Sequence, residues 1–249
     1  MCITEMYSRQ YHWRSWPTII DMLPVVEGQL VLDIGCGVGD LAADLAARGA
    51  HVVGLDINEE LVAFATGRRI KNAEFRVADL REFSDSTLRA DGIWSSFTAA
   101  YFPSFHETLE SWLDHLKSGG WLALTEVDDL FGHEPLAART RELLNSYIAD
   151  SLEQSRYDFR MGGKLRSVLE PLGLELLQDI CVPDKELSFS GRALPEILAA
   201  WRARFDRMHL LQEFCGAEFE NVRDDFLNCL ELDQHESGAM VHCLIAAKH

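Results

Sequence analysis

Leu30-Val31-Leu32-Asp33-Ile34-Gly35-Cys36-Gly37-Val38-Gly39 begins as a short apolar run and ends in glycines at alternate positions. Such a run, bounded by glycine, reads as a buried strand. The Ala/Leu-rich stretch behind it, Leu41 to Ala47, reads as a helix. The glycines therefore stand on a strand-to-helix turn. There they let the backbone turn sharply and approach a ligand closely, because no Cβ is in the way. The helix N-terminus offers unpaired amide donors to an anionic group. Ligands of open α/β sheets bind outside the carboxyl ends of the strands.

Outward from this turn the alternation continues. His51 to Leu55 reads as a second strand, and Asn58 caps a helix that opens with Glu59 and Glu60 and closes near Gly67. Arg68, Arg69 and Lys71 follow that helix, where cations complement its dipole. Ala73 to Ala78 and Gly92 to Ser96 read as the third and fourth strands. Ser104 and Glu107 have the spacing of a capping box. Leu109, Trp112, Leu113 and Leu116 then recur at helical period until Lys117, Gly119 and Gly120 end the helix, and Trp121 to Val127 is a fifth strand. This order predicts a mainly parallel sheet covered on both faces.

The C-terminal third is more helical. Pro135 to Glu153 runs to a second helix, Gly163 to Leu169, with no strand between them. Leu174 to Ser190 contains a strand, and Met240 to Ala247 is the last one. Leu194, Ile197, Leu198, Trp201, Phe205 and Met208 form an apolar helical stripe that faces the core. No repeat or linker divides the chain.

Two nucleotide chemistries compete for the glycine turn. A dinucleotide fingerprint needs Gly-x-Gly-x-x-Gly, but the sixth position from Gly35 is Asp40, whose charge would also oppose a pyrophosphate. The Asp-x-Gly-x-Gly-x-Gly spacing of Asp33 to Gly39 instead resembles the first motif of the class I S-adenosylmethionine-dependent methyltransferases. Asp56, in Gly-Leu-Asp-Ile-Asn, stands where that family ends its second strand with an acid on both ribose hydroxyls. A carboxylate can accept both bonds of a diol. Asp79, in Val-Ala-Asp-Leu, stands where the family often places an acid near the adenine amino group. The fourth strand ends where members touch the methionine portion. The resemblance covers about residues 28–130.

The resemblance implies a Rossmann-like α/β fold: a mostly parallel seven-stranded sheet flanked by helices, with an antiparallel C-terminal strand. It implies one domain over residues 1–249, with a helical lid over residues 1–27 and a helical insertion over residues 128–160. The implied cofactor is S-adenosylmethionine, with S-adenosylhomocysteine as product. Its expected contacts are Tyr11, Arg14, Asp33, Gly35, Cys36, Gly37, Asp56, Ile57, Ala78, Asp79, Leu80 and Ser96. Tyr11 and Arg14 are expected to close over the methionyl carboxylate.

Methyl transfer from a sulfonium requires a nucleophile held in line with the S–CH₃ bond, and positioning alone can supply ~7–11 kcal/mol. A base is needed only when the acceptor carries a proton. His133, His12 and Tyr101 are the catalytic candidates, and His106 is a further base by location. His133 ranks first because it follows the fifth strand. Members of the family build acceptor pockets from segments that here are Tyr7 to Trp16, Phe97 to Phe102 and Asp128 to Tyr157. The first two are dense in aromatics: Tyr7, Tyr11, Trp13, Trp16, Phe97, Tyr101 and Phe102. They suit an aromatic or heterocyclic acceptor methylated on O or N. Ser95-Ser96-Phe97-Thr98 lacks the Asp/Asn-Pro-Pro-Tyr/Phe motif of amino-methylating relatives. The Lys–Asp–Lys–Glu constellation of RNA ribose methylation is not recognisable.

Composition narrows the partners. The formal net charge is −17, with 20 acids and 10 bases in residues 1–130 and 20 acids and 13 bases in residues 131–249. Nothing basic is gathered to neutralise phosphates, so nucleic acid and anionic membranes are disfavoured. No apolar stretch approaches the ~20 residues of a membrane span, and Met1 to Trp16 lacks a signal-peptide core. The expectation is a cytoplasmic monomer or homodimer acting on a small molecule. Cys2, Cys36, Cys181, Cys215, Cys229 and Cys243 form no zinc-ligand spacing, so no metal is expected and reduced, mostly buried thiols are. The alternatives are a non-catalytic S-adenosylmethionine-binding partner or regulatory subunit, and a nicotinamide-dependent oxidoreductase.

Overall fold

Two helices, α1 (Ile3–Tyr11) and α2 (Trp16–Met22), precede the first strand in the computed structural model, which describes residues 3–81, 83, 85, 87–102 and 104–249. The alternating half follows: β1 (Leu30–Ile34), α3 (Asp40–Ala47), β2 (His51–Asp56), α4 (Glu59–Gly67), β3 (Ala73–Val77), β4 (Ala90–Ser96), α5 (Phe105–Leu113) and β5 (Leu116–Asp128). Then come β6 (His133–Glu134), α6 (Ala138–Glu153), α7 (Met161–Leu169), β7 (Glu175–Val182), α8 (Pro195–Arg207), α9 (His209–Cys215), α10 (Phe219–Leu230), β8 (Glu236–Ser237) and β9 (Met240–Ala247).

The main sheet has the order β3-β2-β1-β4-β5-β9-β7. Its strands are parallel except β9, which runs antiparallel to β5 and β7. Strand order reverses between β1 and β4, which opens a crevice at their carboxyl ends. Consecutive residues go to opposite faces. Val31, Val52, Trp94 and Trp121 join one core, while Leu32, Val53, Ile93 and Leu122 join the other. Burial on both faces explains why these strands read as continuous apolar runs. On the first face Trp16 of α2 meets Trp94 edge-on at 5.8 Å, which anchors the N-terminal segment to the sheet.

Local readings hold where local chemistry decides. Asn58 caps α4 by accepting from the Glu60 and Leu61 amides at 3.0 and 3.2 Å. Others yield to pairing. The helix expected to reach Lys117 stops at Leu113, because Leu116 pairs with Ala90 and residues 116–120 extend β5. The Ser104 hydroxyl caps nothing; its carbonyl accepts from Glu107 instead. Gly67 is the last residue of α4, and Arg69 takes the positive φ beyond it. The helix expected from Pro135 begins at Ala138, after an extended approach at Ala137. Leu194, placed in the core stripe, precedes α8 and is 55% exposed, while Ile197, Trp201 and Phe205 are buried. Helices α9 and α10 were not read from the sequence. Cys36, Cys215, Cys229 and Cys243 are buried and free, Cys181 is exposed and free, and Cys2 lies outside the described residues.

Among the described residues no helix is long and apolar enough to cross a membrane.

Candidate functional site

At the carboxyl end of β1 the chain reverses through Gly35, Gly37 and Gly39, with φ of +77°, +52° and +76°. Gly35 and Cys36 both donate to the Leu55 carbonyl, at 2.8 and 3.0 Å, which stitches the turn to the end of β2. The next residue of β2 is Asp56. Its carboxylate accepts from the Gly37 amide at 2.9 Å with one oxygen and from the Asn58 amide at 2.9 Å with the other. Each oxygen retains a lone pair, and the residue is half-buried. Arg68 closes the far side of the turn, donating to the Val38 carbonyl at 2.6 Å and pairing with Asp40 at 2.7 Å. The basic cluster after α4 thus has a structural part in the site.

Ile57 and Val77 flank Asp56 with 58% and 51% exposure, an apolar platform at the end of β2 and β3. Beyond β3, Asp79 pairs with Arg81 through both oxygens, at 2.6 and 3.0 Å, and this holds its carboxyl down at about 2. Ala78 is half-buried and donates to the Asp56 carbonyl, and Leu80 is buried with its carbonyl accepting from Trp112 at 3.1 Å. At the exit of β4, half-buried Ser96 accepts from the Thr98 hydroxyl at 3.0 Å. Phe97 between them has φ of +51°, a conformation that a bulky residue rarely adopts.

Several expected contacts are placed otherwise. Asp33 is 1% exposed beneath the turn and presents no surface to a ligand; burial and the nearby Asp56 push its carboxyl up to about 7. Cys36 is buried, and burial raises its thiol far above the ordinary range. Tyr11 gives its hydroxyl to Asp44 on α3. Arg14 is locked between Asp184, at 2.8 Å, and Glu186, at 2.6 Å, so its fork is not free for a methionyl carboxylate. His133 is fully buried among Phe189, Trp201 and Phe226, its Nδ1 2.8 Å from His235 Nε2. Burial pushes it down to about 3, so it is neutral, and the packing denies it an acceptor: it does not serve as the base. His12 is exposed and edge-on to Tyr11. His106 is half-buried on α5.

Tyr101 does reach this edge, although 60% of it is exposed. Its ring meets Tyr157 edge-on at 4.8 Å. Its phenol is raised to about 12, first by desolvation, then by Tyr7 and Glu126. Tyr7 of α1 lies across the glycine turn: a Cβ on Gly37 would stand 3.4 Å from its ring. Glu126, near the end of β5, is 1% exposed and accepts from the Ala100 amide at 3.2 Å, while its Oε2 has no partner. Burial pushes this carboxyl up to about 8 despite the opposing backbone amides of residues 98–100 and 127. Sequence reading missed Glu126 and Arg204, and reached Tyr157 only as the end of the expected pocket segment Asp128 to Tyr157. A lone acid inside the apolar run Leu122 to Val127 was the available signal for Glu126. Arg204 had none, since a cation on an amphipathic helix is ordinary.

Residues 31–120 match the family model described as "Methyltransferase domain". The chain is 32% identical over 127 residues to a 23S rRNA (uracil(1939)-C(5))-methyltransferase of Nitrosococcus oceani, covering 49% of this chain and 26% of that protein. It is 31% identical over 164 residues to the 27-O-demethylrifamycin SV methyltransferase of Amycolatopsis mediterranei, covering 62% of this chain and 58% of the relative. Its fold matches the Haemonchus contortus phosphoethanolamine N-methyltransferase 2 solved with phosphomonomethylethanolamine and S-adenosylhomocysteine. That match has a TM-score of 0.59 and 20% identity, over 95% of this chain and 52% of that one. The chain thus spans less than two thirds of the length of these relatives.

Proposed function

We propose that this chain, which carries a class I S-adenosylmethionine-dependent methyltransferase domain, transfers a methyl group from S-adenosylmethionine to an O or N atom of a small molecule. The observation that supports this most is the pairing of Gly37 with Asp56, in which the backbone anchors both carboxylate oxygens and leaves lone pairs for a diol. Gly37 has no side chain on the ligand side, and only the movable Tyr7 ring faces it. The residues therefore fit an adenosyl amino acid once Tyr7 yields.

When bound, the cofactor supplies an activated methyl group on a sulfonium. Asp56 holds the ribose hydroxyls, and Ile57 with Val77 packs the adenine. Asp79, paired with Arg81 here, would accept from the adenine amino group. The turn Gly35 to Gly37 and the exit of β4 at Ser96 hold the amino-acid portion. Helix α1 is the lid and Tyr7 its contact. Tyr101 and Tyr157 orient the acceptor and exclude water, and Tyr101 keeps its proton at neutral pH.

Calorimetry with S-adenosylhomocysteine tests the reading. Asp56→Ala weakens binding by about 1.5–3 kcal/mol, the range for hydrogen bonds to a charged group; unchanged affinity would count decisively against it. Label from methyl-tritiated S-adenosylmethionine should pass to a metabolite extract. Tight binding without transfer would favour the non-catalytic binding partner.

A further inference from the structure

We infer that the acceptor carries an oxyanion, a carboxylate or phosphate, held by Arg204 and Arg207 of α8 with the phenols of Tyr7, Tyr101 and Tyr157. This rests on the function proposed above and names the substrate class of that same site.

Beside α8 stands a surplus of donors. The hydroxyls of Tyr7, Tyr101 and Tyr157 make no hydrogen bond to another described residue. Desolvation raises all three phenols above their ordinary range, so each keeps its proton and stays a donor. Arg204 acts electrostatically on all three, and its neighbour on α8, Arg207, reaches Met6 beside Tyr7 on α1. Its Nη2 pairs with Glu186 at 2.6 Å, but its Nε is buried with no acceptor at all. A buried unpaired donor costs about as much as a lost hydrogen bond, and natural sites seldom leave one without a purpose.

Arg207 adds an uncompensated charge. It stands one turn after Arg204, and its Nη1 lies 2.7 Å from the Met6 sulfur, a weak acceptor that cannot neutralise a cation. No carboxylate of the described residues reaches it at ion-pair distance; Asp206 and Glu186 act on it only from further off. Burial, together with Arg204, lowers its affinity for its proton. Arg14 and Arg204 are thus paired with the buried carboxylates Asp184 and Glu186, while Arg207 has no carboxylate at ion-pair distance among the described residues. In a chain of net charge −17 a local positive excess beside a ligand edge is a built feature. A ligand that only accepts hydrogen bonds and carries negative charge satisfies the Arg204 Nε, the phenols and Arg207 at once. A neutral acceptor can take the hydrogen bonds but brings no counter-charge to Arg207.

The probes are matched pairs: aliphatic and aromatic carboxylic acids and phosphate monoesters, each with its neutral amide or alcohol. They are titrated calorimetrically into protein saturated with S-adenosylhomocysteine, and tested for label transfer from S-adenosylmethionine. Acids should bind and accept label, with the carboxylate and phosphate arms identifying which oxyanion fits. Neutral partners should bind about tenfold more weakly or worse. Arg207→Gln should lower acid affinity by about tenfold while S-adenosylhomocysteine affinity stays unchanged. Arg204→Gln would break a buried ion pair, so Arg204→Lys is the second variant: it keeps the pairing with Glu186 but removes the Nε donor, and it should also weaken acids. Neutral members binding as well as acids, no acid binding at all, or an unaltered Arg207→Gln variant would each overturn the inference. Failure of wild-type protein to bind S-adenosylhomocysteine would instead strike the function proposed above.

Discussion

Gly35 and Gly37 look interchangeable in the sequence and are required for different reasons. A Cβ on Gly35 would fall 2.0 Å from the Thr98 hydroxyl oxygen, so Gly35 serves the packing of the turn against the exit of β4. A Cβ on Gly37 would meet only the Tyr7 ring, at 3.4 Å, so Gly37 serves close approach from the open side. Both have positive φ, and any L residue there costs roughly 1–2 kcal/mol of backbone strain. Gly35→Ala should therefore lower the melting temperature well beyond that strain. Gly37→Val should keep most of the fold and lose S-adenosylhomocysteine binding, as thermal melts and calorimetry will show. Equal destabilisation by the two changes would defeat this division of roles. Asp33 carries a related lesson. It belongs to the glycine motif by sequence, yet in the fold it is a buried support under the turn, because β1 is covered on both faces.

At the scale of elements, α1 is the part whose position matters most. It is short, it packs near α4, and its Tyr7 rests on the turn that a ligand must touch. On the function proposed above, entry would displace the Tyr7 ring, and α1 would move with it as a lid. Tyr7→Ala should raise the association rate of S-adenosylhomocysteine in stopped-flow experiments, and hydrogen exchange over residues 3–11 should change when the ligand binds. An unaltered rate together with unaltered exchange would show that α1 is no lid. The contrast between α4 and α5 shows where element boundaries are legible. Asn58 bonds its own helix, so its signal is local and survives folding. Leu116 satisfies a helical period in sequence but gains a strand partner, Ala90, that no local window contains.

For the molecule as a whole, buried charge links distant segments and makes stability depend on pH. Arg14 near the N-terminus meets Asp184 and Glu186 beyond β7, and Glu186 also holds Arg204 of α8. Those cations hold the Glu186 carboxyl down at about 2, so its contribution persists until strong acid. Glu126 behaves oppositely. Between its ordinary value of 4.5 and its raised value of about 8, only the folded state keeps the proton. Stability therefore falls with rising pH across that window, by up to about 1.4 kcal/mol per unit for one proton. Asp33 adds the same sign up to about 7, whereas His133 works the other way between about 3 and 6.5. Glu126→Gln should flatten the decline, most clearly above pH 7, where Asp33 and His133 contribute least. Urea melts across pH give the slopes, and an unchanged slope would mean that Glu126 is ionised in the folded protein. Apolar period, capping chemistry and glycine spacing act over a few residues. The strand–helix order could thus be read from the chain alone, while the approach of the Gly37 turn to Asp56 was what the family resemblance implied. The fates of His133, Arg14 and Glu126 could not be read locally. Their partners lie across the fold, His235 being 102 positions from His133 and Asp184 being 170 from Arg14. Burial and pairing, which set charge and access, exist only once those distant segments meet.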